Sequence, residues 1–160
     1  MGNWAEFGIR ERLLLRAYPW RRIRPTPWTP LARPLSECRL GLVSSAGLVL
    51  PGQPPFDAGI RGGDPSFRDI PSDANPRDLI DTHRSQSFDH AGIRRDPNLG
   101  LPLDRARELV ERGRVGSLAA NHLSFMGSIT APGRLVRKTA PEAARRMVAE
   151  GVEVALLVPV

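Results

Sequence analysis

The spacing of apolar and polar residues changes along the chain, and each change marks an element. Arg39-Leu40-Gly41-Leu42-Val43-Ser44-Ser45 is apolar at consecutive positions and ends in small hydroxyl residues. A strand apolar on both sides belongs in the middle of a sheet that is covered on two faces. Gly151-Val152-Glu153-Val154-Ala155-Leu156-Leu157-Val158-Pro159-Val160 has the same pattern and reads as another buried strand. Between these runs the period becomes helical. Leu103, Ala106, Leu109 and Val110 form one apolar stripe, so Pro102-Leu103-Asp104 opens a helix that runs to Arg112 and stops at Gly113. Ala143, Ala144, Met147 and Val148 form a second stripe. It is preceded by Thr139-Ala140-Pro141-Glu142, which predicts a capping box in which the Thr139 hydroxyl accepts from the Glu142 N–H. Gly151 alone separates this helix from the final strand, and helix then strand is half of a βαβ unit.

The rest of the pattern is less regular. Residues 1–18 predict a short amphipathic helix with Trp4, Phe7, Leu14, Leu15 and Tyr18 on one face. Residues 19–37 are spaced by prolines, which lack a donor and fix φ, so this stretch predicts an arm without helix or central strand. A strand is expected around Phe67–Ile70, while Val115–Met126 fits strand or helix. Residues 46–57 and 82–90 read as polar, turn-rich loops. The expected fold is α/β, an open and mostly parallel sheet with flanking helices, its last βαβ unit incomplete, and a proline-rich N-terminal arm. The expected division is residues 1–37 for the helix and arm and 38–160 for the α/β domain.

Composition narrows the function classes. The chain has 160 residues and 41% hydrophobic content, enough for one domain that buries roughly 70% of its unfolded surface. The formal net charge is +6. The arginines fall in small groups, at Arg21, Arg22 and Arg24, at Arg94 and Arg95, and at Arg145 and Arg146. No DNA- or RNA-reading motif accompanies them, so they read as solvated surface, with a polyanion site as the other reading. The one cysteine, Cys38, excludes an internal disulfide and fits a reducing compartment. No secretory signal and no apolar run of roughly 18 residues occurs, so no membrane contact is expected and the cytoplasm is the expected location.

Sites in open α/β sheets lie past the carboxyl ends of strands. Ser44 and Ser45 end the first strand and suit either an anion site or ordinary turn chemistry. His83, His90 and His122 sit in polar or Gly-flanked segments. Their types allow metal ligation, acid–base work or structural capping, but their spacing matches no zinc signature and no metal is assigned. Phosphate-binding glycine loops and a G-x-S-x-G elbow are missing. Cys38 precedes the first strand and reads as a small packed thiol.

Several of these segments, in this order, resemble the selenoprotein B family of glycine, sarcosine, betaine and D-proline reductases. They are Gly41 to Val49 with Pro51-Gly52-Gln53, Asp96-Pro97-Asn98, Leu101 to Arg105, Gly113-Arg114-Val115-Gly116, His122 to Gly127, and Gly151 to Leu157. The similarity covers about residues 27 to 160. The resemblance implies a redox-active selenocysteine or cysteine directly after the last strand. The chain ends where that residue is expected, which predicts an in-frame UGA codon after Val160. It further implies reductive cleavage of a C–N or similar bond in a small molecule, with electrons from a thioredoxin-like dithiol. No cofactor is expected in the chain itself; a pyruvoyl group belongs to a partner reductase subunit where one exists. His83, His90 and His122 are then the acid–base candidates, and Ser44, Ser45, Asp89, Asn121 and Ser124 the substrate-binding ones. Other readings are a non-enzymatic binding or assembly subunit, an inactive truncated product, and a racemase-like α/β enzyme. The racemase reading calls for cysteines on both sides of a cleft.

Overall fold

A computed structural model describes residues 8–18 and 23–160. The chain divides into two compact units, Met1–Pro30 and Leu31–Val160. The first unit contains helix α1, Ile9–Ala17. Trp4 and Phe7 of the expected apolar face lie outside the described residues. No helix or strand forms over residues 23–34, as the prolines require.

The second unit is built on a sheet of β1 (Arg39–Ser44), β3 (Phe67–Pro71), β5 (Ser117–Leu118), β6 (Asn121–Phe125) and β7 (Val154–Val158). β1 runs parallel to β5, β6 and β7, while β3 is antiparallel to β6. β5 pairs Arg39 and Leu40, β6 pairs Val43 and Ser44, and β7 pairs Leu40 through Ser44. One strand has only two edges, so β5 and β6 follow each other along one side of β1 and β7 holds the other. The segment that fits strand or helix by pattern is therefore strand. The 46–57 loop contains β2 (Leu48–Val49), which pairs antiparallel with β4 (Ile80–Asp81).

Helices cover both faces of the sheet. α4 (Ala140–Ala149) places Ala143 and Met147 against Leu123 and Phe125. On the other face, Leu103 and Ala106 of α3 (Leu103–Glu111) and Ile93 of α2 (His90–Arg95) meet Leu40, Leu42 and Ile70. Each fully buried Leu or Ile contributes about 1.5–3 kcal/mol. The architecture is thus α/β with a mostly parallel sheet and flanking helices.

Two local expectations fail. β7 forms, but it is not buried: Leu156 is 46% and Leu157 67% exposed. It lies at the edge of the sheet beyond β1, where Val154 packs against the core and the following residues are exposed. The capping box is also absent. One π-helical turn, Leu135–Thr139, runs directly into α4, so Thr139 already has helical φ −76° and ψ −35°. An N-cap side chain needs extended backbone to reach the next N–H groups. Glu142 instead accepts from Arg146 at 3.1 Å.

Candidate functional site

The carboxyl ends of β1 and β7 are tied together by one hydroxyl. Ser45 Oγ accepts from the Val160 N–H at 3.0 Å and donates to the Val160 carbonyl at 3.3 Å. Gly127, just past β6, lets this junction close: a Cβ there would lie 2.8 Å from the Ser45 carbonyl oxygen and 3.2 Å from that of Val160. Two cavities open beside the junction. One, of about 370 Å³, is mostly apolar and is lined by Val43, Phe125, Leu135, Leu157 and Pro159 among others. The other, of about 470 Å³, is lined by His83, Ser85, Phe88, Asp89, Ile93 and Val160 among others. Both volumes suit small ligands.

The second cavity holds most of the polar chemistry. His83 follows β4 and is 8% exposed. Gly47 makes room for it, with φ +66° and an added Cβ falling only 3.1 Å from the His83 Cα. The His83 N–H donates to Asp81 Oδ1 at 2.9 Å, an Asx turn. Its ring stacks on Phe88 with centroids 4.1 Å apart. Its Nδ1 accepts from the Ser85 N–H at 3.3 Å, so the neutral ring carries its proton on Nε2. That Nε2 is buried and has no partner. Burial is the main force holding the His83 pKa below the ordinary histidine value, against the attraction of Asp81.

His90 opens α2 and has the opposite state. Its Nδ1 lies 2.5 Å from Asp81 Oδ2 and its Nε2 3.0 Å from the Ser85 carbonyl oxygen. Both partners are acceptors, so these contacts favour the doubly protonated ring. The Asp81 hydrogen bond is the main cause of its raised pKa. Asp89 caps α2 by accepting from the Gly92 N–H at 2.9 Å while lining the same cavity. The site thus pairs a neutral donor with a nearby imidazolium.

The remaining candidates are placed differently. His122 is fully buried within the sheet, where Nδ1 accepts from the Leu42 N–H at 3.2 Å. The Ala120 carbonyl, turned toward β3, accepts from the Ser72 N–H instead. Burial lowers the His122 pKa to about 4, and His122 lines neither cavity beside Ser45. Ser44 lines the apolar cavity, but its hydroxyl donates to the Gly100 carbonyl at 2.6 Å and accepts from the Ala46 N–H at 3.0 Å. Ser124 is buried with an unpartnered hydroxyl. Asn121 starts β6, roughly 15 Å along the strand from the site end, and its N–H and Nδ2 donate to Glu150 at 3.0 and 3.1 Å. Cys38 lies at the opposite end of β1, buried, with Sγ 3.3 Å from the Pro34 carbonyl oxygen.

Asp81 and Phe88 do not stand out in the pattern analysis, yet both shape the cavity. The available signal was Asp81-Thr82-His83, an acidic residue two positions before a histidine at a strand end. Among the described residues no three His, Cys, Asp or Glu side chains gather into a metal-binding group. No described helix is long and apolar enough to cross a membrane.

The fold defines an α/β protein with two cavities at the carboxyl edge of its sheet. Residues 17–159 match the glycine/sarcosine/betaine reductase selenoprotein B family, and the chain belongs to that family. It is 34% identical over 136 residues to the D-proline reductase subunit gamma of Acetoanaerobium sticklandii, covering 84% of this chain and 54% of the relative. The chain therefore spans about half the length of that curated relative. No solved structure matches it.

Proposed function

We propose that this chain builds the strand-end site of a selenol- or thiol-dependent reductase that cleaves a C–N or similar bond in a small molecule. The observation that carries this reading is the position of Val160. It lines the same cavity as His83, whose Nε2 is buried and without a partner, so the end of β7 and this imidazole border one small space. The family name, selenoprotein B, favours selenocysteine or cysteine at that position. A selenol, or a thiol whose pKa a neighbouring cation lowers, supplies an anionic nucleophile near neutral pH.

The residues of this chain then have distinct tasks. His83 stays neutral and offers an Nε2–H hydrogen bond to the anion, while the protons that end on the products come from the dithiol. His90 keeps a positive charge nearby and holds the Ser85 main chain. Ser45 fixes the end of β7. A thioredoxin-like dithiol is oxidised to a disulfide, and its electron pair and protons end on the cleaved carbon and the amine. The relative is named as a subunit, which favours assembly with a partner reductase subunit. A pyruvoyl group, where the reaction uses one, belongs to that partner. The free, buried thiol of Cys38 fits a cytoplasmic location.

The test starts at the transcript beyond codon 160, which should carry a selenocysteine or cysteine codon in frame. The product it encodes is then assayed for dithiol-dependent reduction of glycine, sarcosine, betaine and D-proline. Turnover of one of them supports the reading. A stop without a redox codon, or a full product inert toward all dithiols, overturns it. A second reading, a non-catalytic assembly subunit, is favoured by the exposed apolar β7. In that case Leu157→Lys abolishes association while leaving the histidine cavity unchanged.

A further inference from the structure

Asp81 ends β4 with its side chain only 2% exposed. A buried carboxylate is costly unless its oxygens are matched by donors. Here both are matched, one by a residue that lines the cleft and one by its neighbour at the start of α2. Oδ1 holds the His83 main-chain N–H, and Oδ2 holds the His90 ring. His90 in turn donates to the Ser85 carbonyl, and the Ser85 N–H donates to His83 Nδ1. The chain of contacts starts at Asp81 and returns to the residue that Asp81 already holds by its backbone.

This closed circuit has a chemical outcome. With Nδ1 occupied by a donor, His83 can protonate only at Nε2 while neutral. We propose that Asp81 is the positioning residue of this cleft, locking His83 as the Nε2–H tautomer so that His83 presents its ligand with a donor and no acceptor. The proposal rests on the reading that this cleft is where the reaction occurs. It specifies what His83 recognises: an unprotonated acceptor, such as a carbonyl oxygen, a carboxylate or a chalcogenolate. An ammonium group finds no acceptor at His83 Nε2. The charged groups around the pair are Asp81, the Arg84 and Arg94 guanidiniums and the two rings themselves, with Arg94 reaching to 3.9 Å from Asp81 Oδ2. Asp89 borders the cavity from the start of α2.

The test is nitrogen NMR on the full chain with labelled histidine, which reads tautomer and protonation without any assay of turnover. His83→Gln and His122→Gln variants assign the signals. In the wild type, His83 should show protonated Nε2 and bare Nδ1, and His90 should carry both protons at neutral pH. Asp81→Asn keeps an oxygen for the His83 N–H but removes the charge, so the His90 midpoint should fall toward the ordinary histidine value. Asp81→Ala should convert His83 to a tautomer mixture. If Asp81→Ala fails to fold, the wild-type spectrum and the Asn variant still decide. A wild-type His83 protonated on Nδ1 overturns the proposal, and so do variants that leave both rings unmoved. An inert full-length product with the expected spectra would overturn the reductase reading alone.

Discussion

His122 in the sheet core and His83 in the cleft are alike in their local chemistry. Each accepts one backbone N–H at Nδ1, from Leu42 at 3.2 Å and from Ser85 at 3.3 Å. Each is kept neutral chiefly by burial, and each has an Nε2 with no partner. They differ in what surrounds that last atom. Around His122 there is packed sheet and core; beside His83 there is a cavity of about 470 Å³. The same imidazole state stands in for a strand carbonyl in one place and borders a cavity in the other. The surroundings of the ring, not the residue type, separate the two.

Exchange of the two residues for alanine gives the largest separation. His83→Ala should lower kcat of the full product by about 10²–10³, equivalent to about 3–4 kcal/mol of barrier, with a smaller loss of stability than at His122 because the ring borders a cavity rather than the sheet core. His122→Ala should instead cost about 3 kcal/mol of stability, because it leaves a cavity and an unpaired Leu42 N–H. Steady-state kinetics and urea melts on both variants check the contrast. Equal losses of stability from the two variants would remove it.

Next in size is the pH dependence of folding. His122 has a folded pKa of about 4 against an ordinary 6.5, so between those values the unfolded chain binds more protons than the folded one. The stability is fully present above pH 6.5 and is lost as pH falls toward 4, by about 3 kcal/mol in total. His83 acts in the same direction. His90, with a raised pKa, acts in the opposite one: its contribution is present at low pH and lost as pH rises through that raised value. Urea midpoints between pH 4 and 8 should therefore rise with pH, and His122→Gln should flatten most of the slope below 6.5. An unchanged slope in that variant would assign the protons elsewhere.

How much of this was readable beforehand depended on whether the signal was local. β1, β3 and α3 follow from apolar spacing and from Pro102 and Gly113, all within one segment. The sheet rule points to the carboxyl ends of the strands, where Ser45 bonds Val160 and where His83 and Val160 line one cavity. The environment of each strand was not local. β1 and β7 have the same two-sided apolar pattern, yet Leu42 is fully buried and Leu157 exposed, because strand order decides which is central. His122 and Asn121 likewise took partners from segments distant in sequence, Leu42 and Glu150. Asp81 was missed because its role emerges only once β4 sets it beside the first turn of α2.

The smallest predicted effect concerns hydroxyls that share the unpartnered condition but face neither donor nor ligand. Thr139 Oγ1 and Ser124 Oγ are buried without partners. If Thr139 were a capping residue, removing its hydroxyl would cost about 0.5–2 kcal/mol. Its helical backbone and the π-turn before it leave it no such role. Thr139→Val keeps the shape and removes only an unmatched polar atom, so it should be neutral or stabilising by up to about 1 kcal/mol. Chemical denaturation resolves the two cases, since they differ in sign. A clear loss in Thr139→Val would mean that the hydroxyl finds a partner in solution and that the helix begins at Thr139 after all. A neutral or positive result would show that the buried Thr139 hydroxyl makes no bond that the fold depends on.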